Sequence, residues 1–212
     1  VEDKFMYIYA FGSICRGEID FYSDIDLIAI SDNKSELENL DPNKFSIYTE
    51  KRLKEYWKIG NPFAWHLYKE SRLIFSSKAD DLIKKLGEPS LYKNGLGDLN
   101  KFYNIFLDSV KHIEITRDSF LFDISTIFLS VRNFATCYSL AKGKINFQRN
   151  SALNLGNKSI PISIENYKAL ELARLLATRG VGTFPNEADS SRLIMCFKEI
   201  DDWMKLLLDE FK

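Results

Sequence analysis

Phe11-Gly12-Ser13-Ile14-Cys15-Arg16-Gly17, followed after residues 18–22 by Ser23-Asp24-Ile25-Asp26-Leu27, is the stretch on which the reading of this chain turns. The apolar run Phe5–Phe11 predicts a buried strand, and Asp24–Ile30 predicts a second, bounded by Ser31-Asp32-Asn33. Both are expected at the centre of a sheet. One strand therefore ends in Gly-Ser, the chain turns, and the next strand opens with two carboxylates one residue apart. On a strand, residues i and i+2 share a face about 6.5 to 7 Å apart. Asp24 and Asp26 then point together off an otherwise apolar strand, which is costly without a cation. Convergent carboxylate oxygens suit a hard divalent ion that keeps positions open for substrate phosphates.

The residues before the carboxylates supply the complementary chemistry. Gly12 lets backbone approach an anion closely, and Ser13 offers a hydroxyl and an N–H, placed at the start of a short helix whose dipole would favour phosphate. Arg16 can neutralise phosphate charge, or pair with Glu18 or Asp20. Donors for phosphate beside carboxylates for metal describe a metal-nucleotide site.

Working outward, Phe45–Thr49 predicts a third strand entered through Asp41-Pro42-Asn43, and Arg72–Ser76 a fourth, with helices over Glu50–Ile59 and Pro62–Lys69. After the turn-rich Lys93-Asn94-Gly95-Leu96-Gly97 only the helical period remains. Leu99, Phe102, Tyr103, Phe106, Val110 and Ile113 mark one long helix, and Ile124, Ile127, Phe128, Val131, Phe134, Ala135 and Tyr138 a second. A third is expected over about 165–178, and a fourth from about Asn186 to the end, with Leu193, Phe197, Ile200, Met204 and Leu207 on its apolar face. The expected fold class is α+β: a small mixed sheet with flanking helices over residues 1–95, followed by an all-α bundle over 96–212.

Composition bounds the function. The 212 residues are 45% hydrophobic and 28% charged, which excludes collagen-like and disordered chains. A chain this long buries roughly 70% of its unfolded surface, enough for a core without staples. With 29 basic and 30 acidic side chains the net charge is -1, so no global field draws nucleic acid or an anionic membrane, and any anion must be held locally. Cys15, Cys137 and Cys196 are scattered and odd in number, which fits small apolar fillers in a reducing, cytoplasmic compartment. No apolar run is expected to reach the roughly 20 residues that span a bilayer. Phe5–Phe11 lacks a basic leader, so no signal peptide is expected, and the opening Val1 leads us to expect a segment upstream.

Gly-Ser, then Arg-Gly, then Ser-Asp-Ile-Asp-Leu resembles the signature of the polymerase-beta-like nucleotidyltransferase superfamily, especially its minimal and antibiotic-modifying members. The resemblance covers roughly the first 90 residues, including Pro62-Phe63-Ala64-Trp65-His66-Leu67 and Arg72-Leu73-Ile74-Phe75. The helical half is similar, more faintly, to the substrate-side or HEPN-type helical domains often joined to such enzymes. The resemblance implies a nucleoside triphosphate, ATP foremost, bound with magnesium. It also implies transfer of the nucleoside monophosphate to an acceptor hydroxyl, with release of pyrophosphate. Gly12, Ser13 and Arg16 would then hold the triphosphate, and Asp24 and Asp26 the metals. The acceptor would be a small molecule, a protein or an RNA end. A homodimer through the aromatic-rich bundle is open.

The chain also departs from that pattern. The family places a third carboxylate on the next strand, to activate the acceptor hydroxyl, and the matching position here is Ser46. By alternation Ser46, Tyr48 and Glu50 share a face, so Glu50 would reach the site only if the strand were displaced. Loss of a general base costs about 10²- to 10⁴-fold, so a degenerate module that binds nucleotide or a partner is the alternative.

Other residues carry plainer expectations. His66 is expected as a packed or surface residue and His112 as solvated, and the two make no zinc pattern with the cysteines. Arg132-Asn133 is similar to the opening of the HEPN ribonuclease motif, yet no histidine follows before Gly143, so ribonuclease chemistry lacks its acid-base group. Arg132 either faces the cleft or sits in a buried ion pair. Phe147–Ser151 is expected as a polar surface loop, or else as acceptor-pocket lining. Lys51, Arg52 and Lys54 open a helix against its dipole, as a solvated face or a phosphate contact.

Overall fold

The computed structural model describes residues 5–18, 25–33, 37–183 and 187–211. Two compact units divide the chain, Val1–Lys93 and Asn94–Lys212.

In the first unit, strands β1 (Tyr7–Phe11), β2 (Asp26–Ile30), β3 (Phe45–Tyr48) and β4 (Ser71–Ser76) form a sheet ordered β3-β2-β1-β4. The two most apolar strands, β1 and β2, are its centre. The sheet is mixed: β1 runs antiparallel to β2 and β4, while β2 and β3 are parallel. Tyr7, Tyr9 and Phe11 of β1 lie on one face with Ile28 and Ile30 of β2. Helices α1 (Glu50–Ile59), α2 (Pro62–Glu70) and α3 (Leu82–Leu86) cover that face with Leu53, Trp57, Ala64, Leu67, Leu82 and Ile83. This apolar layer is the core of the unit.

Local chemistry sets the helix ends. Thr49 caps α1 by accepting the Arg52 N–H at 3.1 Å. At Gly60, φ is +64°, which lets α1 stop in the left-handed conformation. Asn61 then accepts from Phe63 N at 2.8 Å with Pro62 in the first turn, so α2 starts at once. The reversal sends α2 back toward the end of β1 that carries Gly12.

The second unit holds α4 (Gly95–Ile115), α5 (Phe120–Ala141), α6 (Ile164–Arg179) and α7 (Glu187–Asp209). Leu99, Phe106 and Ile113 of α4, Ile127, Val131 and Phe134 of α5, Leu170 of α6, and Ile200 and Met204 of α7 are all buried. One expectation needs correction here. By length and composition alone α5 is apolar enough to cross a membrane, with a mean hydropathy of 1.2 over its most apolar window. Its window is 67% buried inside the protein, and it is apolar nearly all round because neighbours surround it.

Several polar expectations resolve within this unit. Arg132 donates to the Phe147 carbonyl at 3.0 Å, and Ser151 Oγ donates to the Arg132 carbonyl at 3.0 Å. The Phe147–Ser151 loop is therefore not plain surface, since Phe147 and Ser151 are buried against α5 and Tyr167 donates to the Arg149 carbonyl at 2.9 Å. His112 is only half exposed, with Nδ1 2.9 Å from the buried Asp123 carboxylate.

Candidate functional site

Gly12 is the last step out of the sheet and the first residue of a five-residue 3-10 turn, Gly12–Arg16. Its φ of +79° belongs to glycine. The antiparallel register sets Asp26 directly opposite Phe11, so the Asp26 carboxylate lies beside Gly12. A Cβ built on Gly12 would stand 3.0 Å from Asp26 Oδ2 and 4.0 Å from His66 Cε1. The close approach that glycine permits is thus made first to a carboxylate of the protein itself. The turn closes at Gly17, where Glu18 N donates to the Ser13 carbonyl at 3.0 Å. At five residues it is too short to carry the helix dipole expected at Ser13, so its attraction for an anion rests on the Ser13 hydroxyl and nearby N–H groups.

Arg16 is engaged by carboxylates. Nε and Nη2 reach Glu18 Oε2 at 2.9 and 2.8 Å, and Nη1 donates to Glu70 Oε2. Burial by itself would lower the guanidinium pKa; the hydrogen bond to Glu18 and the charges of Glu70 and Glu18 outweigh it and hold the group above its usual value. Of the two uses the sequence offers for Arg16, pairing with Glu18 is the one the structure displays, and Glu70 joins it.

His66, expected as a packed or surface residue, stands one turn from Glu70 on α2, and Glu70 is the residue that sequence reading passed over. His66 Nε2 stands 3.0 Å from Glu70 Oε2, and the His66 ring meets Phe11 edge-on with centroids 5.6 Å apart. Arg16, Glu70 and His66 are each only about 15% exposed, so solvent screens their contacts weakly (16%, 14% and 15%). The i, i+4 spacing of His66 and Glu70 marks a shared helix face. That this face runs under Gly12 is a tertiary fact.

Asp24 lies outside the described residues. Asp26 is exposed at the head of β2. Ser46 pairs with Ile28, two positions along from Asp26 on the same face, so a hydroxyl stands on the strand where an acid was sought. Glu50 does not replace it. Parallel pairing sets Tyr48 beside Ile30, about 13 Å along the strand from Asp26 at 3.3 Å per residue, and Glu50 lies further still, beyond the far end of β2. There Glu50 opens α1, takes Asp32 Oδ1 on its N–H at 3.0 Å and pairs with Lys54. Arg52 pairs with Glu55 and lies over the Tyr56 ring. Lys51 and Lys54 border the same open pocket as Glu50 and Asp32, at the end of the sheet away from Asp26.

Among the described residues no group of three His, Cys, Asp or Glu side chains is placed to hold a metal. What fits a divalent ion is narrower: one exposed carboxylate, Asp26, beside a backbone step without a Cβ, with the acidic Asp24 two residues earlier in sequence.

Residues 6–94 match the family model of the nucleotidyltransferase domain, a span that includes the sheet, the Gly12–Arg16 turn, Asp26 and α2. A crystal structure of a nucleotidyltransferase-like protein from Exiguobacterium sibiricum 255-15 is similar at 15% identity and a TM-score of 0.39, over 99% of this chain and 70% of that one. No curated protein matches the chain.

Proposed function

We propose that the chain transfers a nucleoside monophosphate from a magnesium-bound nucleoside triphosphate, ATP foremost, to an acceptor hydroxyl. The observation that carries this reading is the meeting of Gly12 and Asp26 at one end of the sheet, inside the span that matches the nucleotidyltransferase domain. Ser13 would hold the triphosphate tail, and Asp24 and Asp26 would hold magnesium. Magnesium held by these carboxylates would supply charge neutralisation for the triphosphate and the pyrophosphate leaving group. The acceptor oxygen forms its bond to the α-phosphorus as the bond to the bridging oxygen breaks, and pyrophosphate leaves in line. With serine at position 46, the hydroxyl proton passes to water or to a basic group of the acceptor itself. The acceptor is a small molecule, a protein or an RNA end. The -1 net charge supports a compact acceptor over a long nucleic acid.

Ser46 also favours a second reading, in which the domain binds nucleotide or a partner without turnover. Titrating MgATP, MgGTP, MgCTP and MgUTP into the wild type and an Asp24→Ala, Asp26→Ala double mutant, with pyrophosphate followed in the same samples, separates the two. Metal-dependent binding lost in the mutant, with pyrophosphate released, is the expected result for a transferase. Binding without release under every acceptor supports the binding module. An absence of binding sinks both.

A further inference from the structure

We infer that Glu70 is the positioning carboxylate of this nucleotide site, and that Arg16 acts as a brace for the Gly12–Arg16 turn rather than as a ligand of phosphate. The inference rests on the nucleotide-site reading above. A five-residue 3-10 turn has few internal hydrogen bonds and poor hydrogen-bond geometry, so it needs outside support to hold Ser13 in one place. That support comes from one atom. Glu70 Oε2 takes Nη1 of Arg16, the last residue of the turn, and stands 3.0 Å from Nε2 of His66, whose Cε1 faces the first residue of the turn. The turn is thereby tied to α2 at its last residue, and the His66 ring packs edge-on against Phe11, the residue just before its first.

All three guanidinium nitrogens of Arg16 already face carboxylate oxygens, Nε and Nη2 the one Glu18 Oε2 and Nη1 the Glu70 Oε2. For Arg16 to reach a triphosphate, the weakly solvated Glu70 carboxylate, 14% exposed, would have to give up its cation, and the more exposed Glu18 would lose its partner as well. Breaking a buried pair by losing one partner is the costly direction. An arginine fork matched to two acids is also a fixed geometry that lysine does not reproduce. The turn would hold phosphate through Ser13 and its N–H groups, with Arg16 and Glu70 setting where those groups stand.

The two roles for Arg16 predict opposite signs, which makes the test sharp. MgATP is titrated into the full chain carrying Glu70→Gln, Glu70→Asp, Arg16→Lys, Arg16→Gln, or the Arg16→Gln, Glu70→Gln pair, each checked for folding by its thermal melt. As a brace, Glu70→Gln weakens MgATP binding about tenfold or more and Arg16→Lys does the same. The double variant is then no weaker than either single, because both remove one interaction, and Glu70→Asp recovers part of the loss. As a phosphate ligand, Arg16 would be released by Glu70→Gln, so binding would stay level or tighten, and Arg16→Lys would be tolerated; either result overturns the inference. Should Glu70→Gln fail to fold, Arg16→Lys alone decides, since it keeps the charge and changes only the fork. Wild type that binds no MgATP overturns the nucleotide reading and this inference with it. Wild-type binding that survives Glu70→Gln overturns this inference alone.

Discussion

Gly12 shows how one residue carries both the backbone and the chemistry of the site. Its φ of +79° disfavours any other residue, and an added Cβ would have to fit 3.0 Å from Asp26 Oδ2. Gly12→Ala should therefore cost about 1 to 3 kcal/mol of stability through backbone strain, and should displace the Asp26 carboxylate. Urea unfolding reads the first effect. The second appears as weaker MgATP binding in whatever fraction remains folded. A variant that unfolds and binds like wild type would show that the approach of Gly12 to Asp26 is incidental. The glycine itself was legible in sequence, because a Gly-Ser pair between a strand and a turn signals unusual backbone. Its nearest anion was not, since only strand register brings Asp26 opposite Phe11.

Among the elements, strand direction decides more than strand existence. The four strands follow from their apolar runs, and α1 over Glu50–Ile59 from its amphipathic period. The parallel pairing of β2 with β3 leaves no trace in either sequence, yet it carries Glu50 to the opposite end of the sheet from Asp26. Helix contacts are similarly silent until the chain is folded. In the helical unit, the end of α7 is pinned to its neighbours through Glu210, which takes Lys158 at 2.6 Å, Tyr138 OH at 2.7 Å and Lys142 at 3.3 Å. The hydrogen bonds from Lys158, then Tyr138 and Lys142, hold the Glu210 carboxyl down at about 2, against an ordinary 4.5. Because the unfolded chain binds this proton more readily, the contribution is fully present above about pH 4.5 and is lost as the pH falls toward 2. Thermal melts of the wild type should show that loss, and Glu210→Gln should flatten it over the same interval. Equal pH profiles for the two proteins would rule out Glu210 as its source.

Across the whole molecule, the near-cancellation of charge leaves stability to two apolar cores, one in each unit. In the helical unit Phe134 is fully buried and its ring lies 5.5 Å from that of Trp203. Phe134→Ala should cost about 3 to 5 kcal/mol, measured as a shift in the urea midpoint at unchanged slope; a cost below about 1 kcal/mol would mean the unit repacks freely around the gap. The same packing explains α5, which reads as a membrane-length apolar helix because its neighbours cover it on most sides.

The sequence by itself determined the α+β class, the central place of the two most apolar strands, and the local order of Gly-Ser before two carboxylates. Those features follow from hydrophobic period and from backbone rules that act over a few residues. Tertiary structure alone decided which groups meet: Asp26 beside Gly12, Glu50 away from both, and Glu70 between Arg16 and His66. Arg16 and Glu70 are far apart in the chain, and nothing short of the packed sheet and helix brings their charges to one place. A pairing of that kind depends on register and on the crossing of α2 beneath the turn, which are properties of the assembled core and not of any segment within it.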